Sequence, residues 1–111
     1  MGKVENYKKI VAEIIDGFDF KNKEDETIYI KDMERGHFVI FRDGWLNNAK
    51  RSYGFYVHID IRQDGKVWVR YDATTDPPVT QKLLDKGIPK SDIVLAFHPP
   101  IVRPDTGFAI A

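Results

Sequence analysis

The sequence predicts an α+β domain: an antiparallel β-sheet of at least four strands, built from hairpins, with two helices packed on its apolar face. Three observations carry that expectation. Val4, Tyr7, Val11, Ile14, Ile15 and Phe18 recur at steps of three and four, the period of an amphipathic helix. Tyr53, Phe55, Val57, Ile59 and Ile61 alternate along one strand, and Val67, Val69 and Tyr71 along the next. A short second stripe, Val79, Leu83 and Leu84, stands between Asp76-Pro77 and Gly87-Ile88-Pro89, residue types that start and stop helices.

In the first helix Glu5, Lys8, Lys9, Glu13 and Asp16 fill the solvent side, and Gly17 with the charged stretch 19–26 ends it as a solvated loop. Residues 27–33 and 37–43 read as a hairpin turning at Glu34-Arg35-Gly36. Residues 44–51 read as a longer polar loop, with Trp45 and Leu46 at its start either pinning it or standing as an exposed contact, of which pinning is the favoured reading. In the next hairpin a two-residue turn at Asp64-Gly65 would set Ile61 opposite Trp68 and mix the faces. A three-residue loop, Gln63-Asp64-Gly65, instead pairs Ile61 with Val67, Ile59 with Val69 and Val57 with Tyr71. Gly65 then takes the left-handed position of a bulge, which costs glycine nothing.

Asp76 is placed to cap the second helix, Pro77 suits its first turn, and Gly87 sits at the left-handed C-terminal position. The apolar run 93–97 fits a buried strand or a short buried helix, and periodicity does not separate the two. The tail from His98 onward is irregular and carries three prolines, and its apolar end, residues 107–111, should lie against the domain. Residues 1–111 read as a single domain with no repeat or linker.

Composition bounds the chemistry. The chain has 17 basic and 17 acidic residues, so no charge surplus points to nucleic acid. It has no cysteine, which removes disulfides, thiolate metal sites and thiol nucleophiles from consideration. No apolar run approaches the ~18–20 residues that span a bilayer. The N-terminal segment, with Glu5, Lys8 and Lys9 among its apolar residues, does not read as a signal peptide, so the expected setting is the cytoplasm.

His58-Ile59-Asp60 is the most suggestive constellation, because residues two apart on a strand share a face. The three-residue loop sets Arg70 beside His58 and Trp68 beside Asp60, with Tyr56 next along. Such a pair suits a general base with its orienting carboxylate, or two metal ligands. The simpler reading, which we favour, is a solvated or partner-facing sheet surface held by a His–Asp contact and cross-strand stacking. The other histidines, His37 and His98, give no HxH or HxxxH spacing, so no metal site is expected. Neither a phosphate-binding glycine loop nor a GxSxG elbow occurs. No cofactor and no catalytic residue is expected. Candidate partner-binding residues are Tyr56, His58, Asp60, Trp68, Arg70, His98 and Arg103, of which the Tyr, Trp and Arg side chains are the types that anchor interfaces.

The blocks Tyr53-Gly54, His58-Ile59-Asp60-Ile61, Asp64-Gly65-Lys66-Val67-Trp68, Gly87-Ile88-Pro89-Lys90-Ser91-Asp92-Ile93-Val94-Leu95, Phe97-His98-Pro99-Pro100 and Arg103-Pro104 with Thr106-Gly107-Phe108-Ala109 stand in this order. Together they resemble the XisI family, cyanobacterial controlling factors for excision of the fdxN element. The resemblance implies an accessory role beside a second factor, XisH, and a site-specific recombinase, exerted through a protein partner. It brings no family catalytic residue with it. Two other readings remain open: an antitoxin-like inhibitor of an XisH-type nuclease, and a small enzyme or ligand-binding domain using His58 and Asp60. A homodimer or higher homo-oligomer is also expected, through the Tyr56–Trp68 sheet face or the apolar C-terminus. Tight DNA binding by the chain alone is not.

Overall fold

A computed structural model describes residues 2–18, 25–74 and 77–111. The elements are α1 (Lys3–Asp16), β1 (Glu26–Asp32), β2 (His37–Leu46), β3 (Lys50–Ile61), β4 (Val67–Asp72), α2 (Val79–Asp85) and β5 (Ile93–Leu95). Single 3₁₀ turns lie at Lys90–Asp92, before β5, and at Arg103–Thr106, after it. The five strands lie in sequence order in one sheet. The first three pairings are antiparallel, but β4 and β5 run parallel, so the sheet is mixed. The parallel pair arises because β4 and β5 are joined through α2, and a helical crossover returns the chain to the same end of the sheet. Residues 93–97, which fitted strand or helix, thus begin with a three-residue strand.

α1 follows its stripe, with Tyr7, Val11, Ile14 and Ile15 buried and Val4 and Phe18 packed at the margin, but Lys8, expected on the solvent side, is buried as well. Together with Val79 and Leu83 of α2 they share one core with Phe38, Ile40, Val57, Ile59, Ile61, Val67, Val69 and Ile93 of the sheet. α2 starts at Val79, later than expected, and both Pro77 and Pro78 precede it. Asp76, the expected cap, lies outside the described residues. The Val79 amide instead donates to the Thr74 hydroxyl at 2.7 Å. At the other end the Ile88 amide reaches the Leu83 carbonyl and the Gly87 amide the Leu84 carbonyl, with Gly87 at φ +95°. This left-handed stop is the one expected, and it seats buried Ile88 against the core.

The 32–37 turn is held by Asp32, whose carboxylate accepts from the Glu34 and Arg35 amides. Residues 19–24 of the charged loop lie outside the described residues, and Glu26 already belongs to β1. Where a long loop was expected at 44–51, β2 and β3 continue as a two-stranded ribbon. They turn at Asn47 and Asn48, both left-handed, with the Ala49 amide donating to the Leu46 carbonyl. Asparagine tolerates that conformation better than other non-glycine residues, and an Asn-Asn pair closes a tight hairpin. Trp45 and Leu46 are therefore exposed on the ribbon and pin nothing to the core.

The 61–67 connection is the three-residue loop, closed by hydrogen bonds between Arg62 and Lys66 and between Gly65 and Arg62, with Gly65 at φ +90°. Ile61 pairs with Val67 and Ile59 with Val69. The expected pairing of Val57 with Tyr71 fails, because the register shifts between His58 and Ile59 and sets His58 opposite Tyr71. A second shift, between Ile40 and Phe41 of β2, leaves Tyr56 unmatched and pairs Phe41 with Phe55. Each bulge reverses the alternation beyond it. Tyr53, Phe55 and Tyr71, expected in the core, are consequently exposed on the opposite face, while Tyr56 packs against the core.

Candidate functional site: the open face of the sheet

The sheet has two faces. The first is the core. On the second, His37 of β2 pairs with Asp60, Val39 with His58 and Phe41 with Phe55, and across β4 Trp68 pairs with Asp60 and Tyr71 with His58. Val39 and Val94, paired with His58 and Trp68, are buried yet stand outside the core cluster.

The side chains on this second face form an aromatic half and a polar half. In the aromatic half Phe41 meets Tyr53 and Phe55 edge-on at 4.6 and 5.1 Å between ring centroids, and Phe55 stacks on His58 at 5.8 Å. Tyr53, Phe55 and Tyr71 are each about half exposed. They border an open depression of about 640 Å³, which also takes in Ser52, His58 and Arg70 and lies where β3 runs past the end of β4. Arg51 covers the Trp45 and Tyr53 rings and pairs with Asp43.

The polar half centres on Asp60, which is only 4% exposed. Its carboxylate accepts from Arg70 Nε at 2.6 Å and Arg62 Nε at 3.2 Å, with Arg70 Nη2 at 3.4 Å. That bond to Asp60 holds the Arg70 guanidinium charge even more firmly than usual, against the opposing effect of burial. Trp68 lies beside them, with the guanidinium carbons of Arg62, Arg70 and Arg103 at 4.3, 5.2 and 5.4 Å from its ring centroid. Arg103 comes from the proline-rich tail. Its Nε donates to the His98 carbonyl at 3.1 Å and its Nη2 to that of Ala96 at 3.4 Å, so the tail straps across to Trp68.

His58 does not touch Asp60 as the shared-face argument implied. Its Nε2 lies 3.2 Å from His37 Nδ1, and its pKa is lowered, first by burial and then by His37, with Arg70 adding to this and Asp60 opposing it. Two imidazoles joined by one hydrogen bond need at least one neutral ring. Arg70, expected beside His58, sits at the bulge and turns to Asp60.

Five of the seven candidate residues therefore gather on one face: His58, Asp60, Trp68, Arg70 and Arg103. Tyr56 packs against the core, where its ring meets Phe18 edge-on at 6.4 Å, and it also lines the depression where β3 runs past β4. His98 stays in the tail beside Phe97, joined to the group only through its carbonyl. Phe41, Tyr53, Phe55, Arg62 and Tyr71 belong to the face but were missed. The adjacent aromatics Phe55-Tyr56 break strict alternation and were the available sign of a bulge. Among the described residues no three His, Asp or Glu side chains gather in a way that could hold a metal ion.

A five-stranded mixed sheet with its helical side chains in one core and an aromatic and arginine-rich layer on its other face defines a small α+β protein with an open sheet surface. The family model described as XisI protein matches residues 1–110, and the chain belongs to the XisI family. Two solved structures resemble it over almost its whole length. One is the fdxN element excision controlling factor XisI from Anabaena variabilis ATCC 29413, 30% identical, with TM-score 0.82 and coverage of 99% of this chain and 100% of that one. The other is a XisI-like protein from the same strain, also 30% identical, with TM-score 0.85 and coverage of 97% and 99%. No curated protein sequence matches the chain.

Proposed function

We propose that this protein is a cytoplasmic accessory factor controlling site-specific excision of a DNA element, and that it acts by binding a protein partner of the XisH type without catalysis of its own. The observation that carries this reading is the open sheet face. Half-exposed aromatic rings lie beside stacked arginines, the side-chain types that anchor protein interfaces, and a sheet surface so furnished calls for a cover. Family membership supplies the excision context, since one relative of solved structure is an excision controlling factor.

The geometry gives the enzyme reading little to use. Asp60 is engaged by two guanidiniums and His58 by His37, so the pair lacks the His–carboxylate contact of a general base and its orienter. Direct DNA binding draws no support from 17 basic residues matched by 17 acidic ones. An antitoxin-like inhibitor would use the same protein contact, and the toxicity of the partner expressed alone separates the two roles.

A specific observation also favours a two-fold homodimer. β4 pairs with β3 only from Val57 onward, so the 50–55 backbone is an edge among the described residues, and an antiparallel copy of itself satisfies such an edge. Light scattering at micromolar concentration should give the dimer mass, and a monomer mass ends that part of the reading.

The test of function is a pair of binding assays at physiological salt, one with the XisH-like protein and one with duplex DNA. A stable protein complex with weak DNA binding is expected. Submicromolar, steeply salt-dependent DNA binding without a protein complex overturns the proposal.

A further inference from the structure

The arginine group around Trp68 carries more positive charge than its carboxylate partners among the described residues neutralise. Three guanidinium carbons lie within 5.4 Å of one indole centroid. Among the described residues only one carboxylate, Asp60, pairs with any of them, and it serves Arg62 and Arg70 alone. Arg103 makes its two hydrogen bonds to backbone carbonyls and, among the described residues, has no carboxylate partner. All three are fixed in place, Arg62 and Arg70 by Asp60 and Arg103 by the tail. Their remaining N–H groups are thus oriented at little further entropic cost. Arg62 and Arg70 keep 46% and 36% of their side chains exposed, so an incoming group can reach them.

We infer that Arg62, Arg70 and Arg103, held on Trp68, form a receptor for a carboxylate presented by an amphipathic segment of a protein partner. The chemistry selects an oxyanion, since a guanidinium fork matches two oxygens on one centre. The surroundings select a protein over a nucleic acid. Beyond His58 the same face turns to Phe41, Phe55 and Tyr53, and an apolar side chain next to an Asp or Glu would cover both halves together. A duplex presents a row of phosphates and needs cations spread along its length, whereas here they converge on one ring. The inference rests on the reading that the open face meets a protein, and it names what that protein must offer.

The experiment uses Trp68 as reporter in a Trp45→Phe variant of the full chain, which leaves one indole. The probe is an acetylated, amidated peptide alternating Glu with Leu and Phe, compared with a twin in which every Glu is Gln, with inorganic phosphate and with a short DNA duplex. The Glu peptide should change Trp68 emission saturably, bind about ten-fold more tightly than the Gln twin, and weaken by a similar factor in Arg103→Gln. Urea unfolding of Arg103→Gln checks that the domain stays folded. If that variant unfolds, Arg62→Gln, at the exposed loop end, takes its place with the same expected loss. Equal binding of the Glu and Gln peptides, or tighter binding of phosphate or duplex than of the Glu peptide, overturns the inference. A partner complex that forms normally with Arg103→Gln sinks this site while leaving the functional reading intact. Absence of any partner complex sinks that reading while the peptide titration still judges the site.

Discussion

Replacing Asp60 with Asn tests how the open face is held together. The carboxylate is 4% exposed and accepts two strong charged hydrogen bonds, from Arg70 Nε at 2.6 Å and Arg62 Nε at 3.2 Å, and a longer third at 3.4 Å. A pair buried on both sides loses about 3–5 kcal/mol when one partner goes, mostly through the charge left stranded. Here the stranded charges are arginines that are 46% and 36% exposed, so they rehydrate and much of that cost disappears. The Asn side chain keeps the shape and one acceptor. These considerations bring the expected loss to about 2 kcal/mol, of the order of one good charged hydrogen bond. For a domain of this size that is a drop in Tm of about 8 °C. Urea unfolding is the assay, with a lower midpoint and an unchanged m value as the expected outcome. A loss below about 0.5 kcal/mol, ordinary for a solvated surface position, would show that Asp60 does not organise the face.

Gly36→Ala should cost about 2 kcal/mol in the same assay, because Gly36 has φ +78° and an added Cβ would lie 2.8 Å from the Ile61 carbonyl oxygen. A neutral result there would refute the tight β2–β3 register at that corner. Acid unfolding should depend on Asp92, which accepts from the Tyr7 hydroxyl at 2.6 Å and pairs with Lys3 at 3.1 Å. Burial raises its pKa, but the bonds from Tyr7 and Lys3 outweigh this and leave it below the ordinary carboxylate value. Its contribution is therefore present above the unfolded value and lost as pH falls through the folded one. Tyr7, pushed up to about 12 by burial and by Asp92, keeps its proton throughout that window. Tyr7→Phe should cost about 1 kcal/mol at neutral pH and flatten the fall in stability below about pH 4. An unchanged acid slope would remove Asp92 from the account.

What the sequence made legible follows from what kind of information each element carries. α1 obeys a 3.6-residue period over four turns, and the 61–67 loop is fixed by matching Ile61 with Val67 and Ile59 with Val69, so both were readable. α2 announces its end through Gly87 and Ile88 but hides its start, where the Thr74 hydroxyl bonds Val79. The bulges after Ile40 and His58 were not readable, because each depends on the partner strand, and a single extra residue sends Tyr53, Phe55 and Tyr71 to the other face. The parallel β5 depends on the α2 crossover and was equally hidden. The site was half visible. His58, Asp60, Trp68, Arg70 and Arg103 were named from residue type and strand parity, whereas their true partners, Arg62 and His37, emerge only once the strands are laid side by side.

The claim that the open sheet face is the partner surface is tested most directly by hydrogen–deuterium exchange of the complex with the XisH-like protein. Slowed exchange is expected in 37–43, 52–60 and 68–71, with α1 unchanged. Slowing confined to the outer surfaces of α1 and α2, with the β3 and β4 amides unaffected, would contradict it.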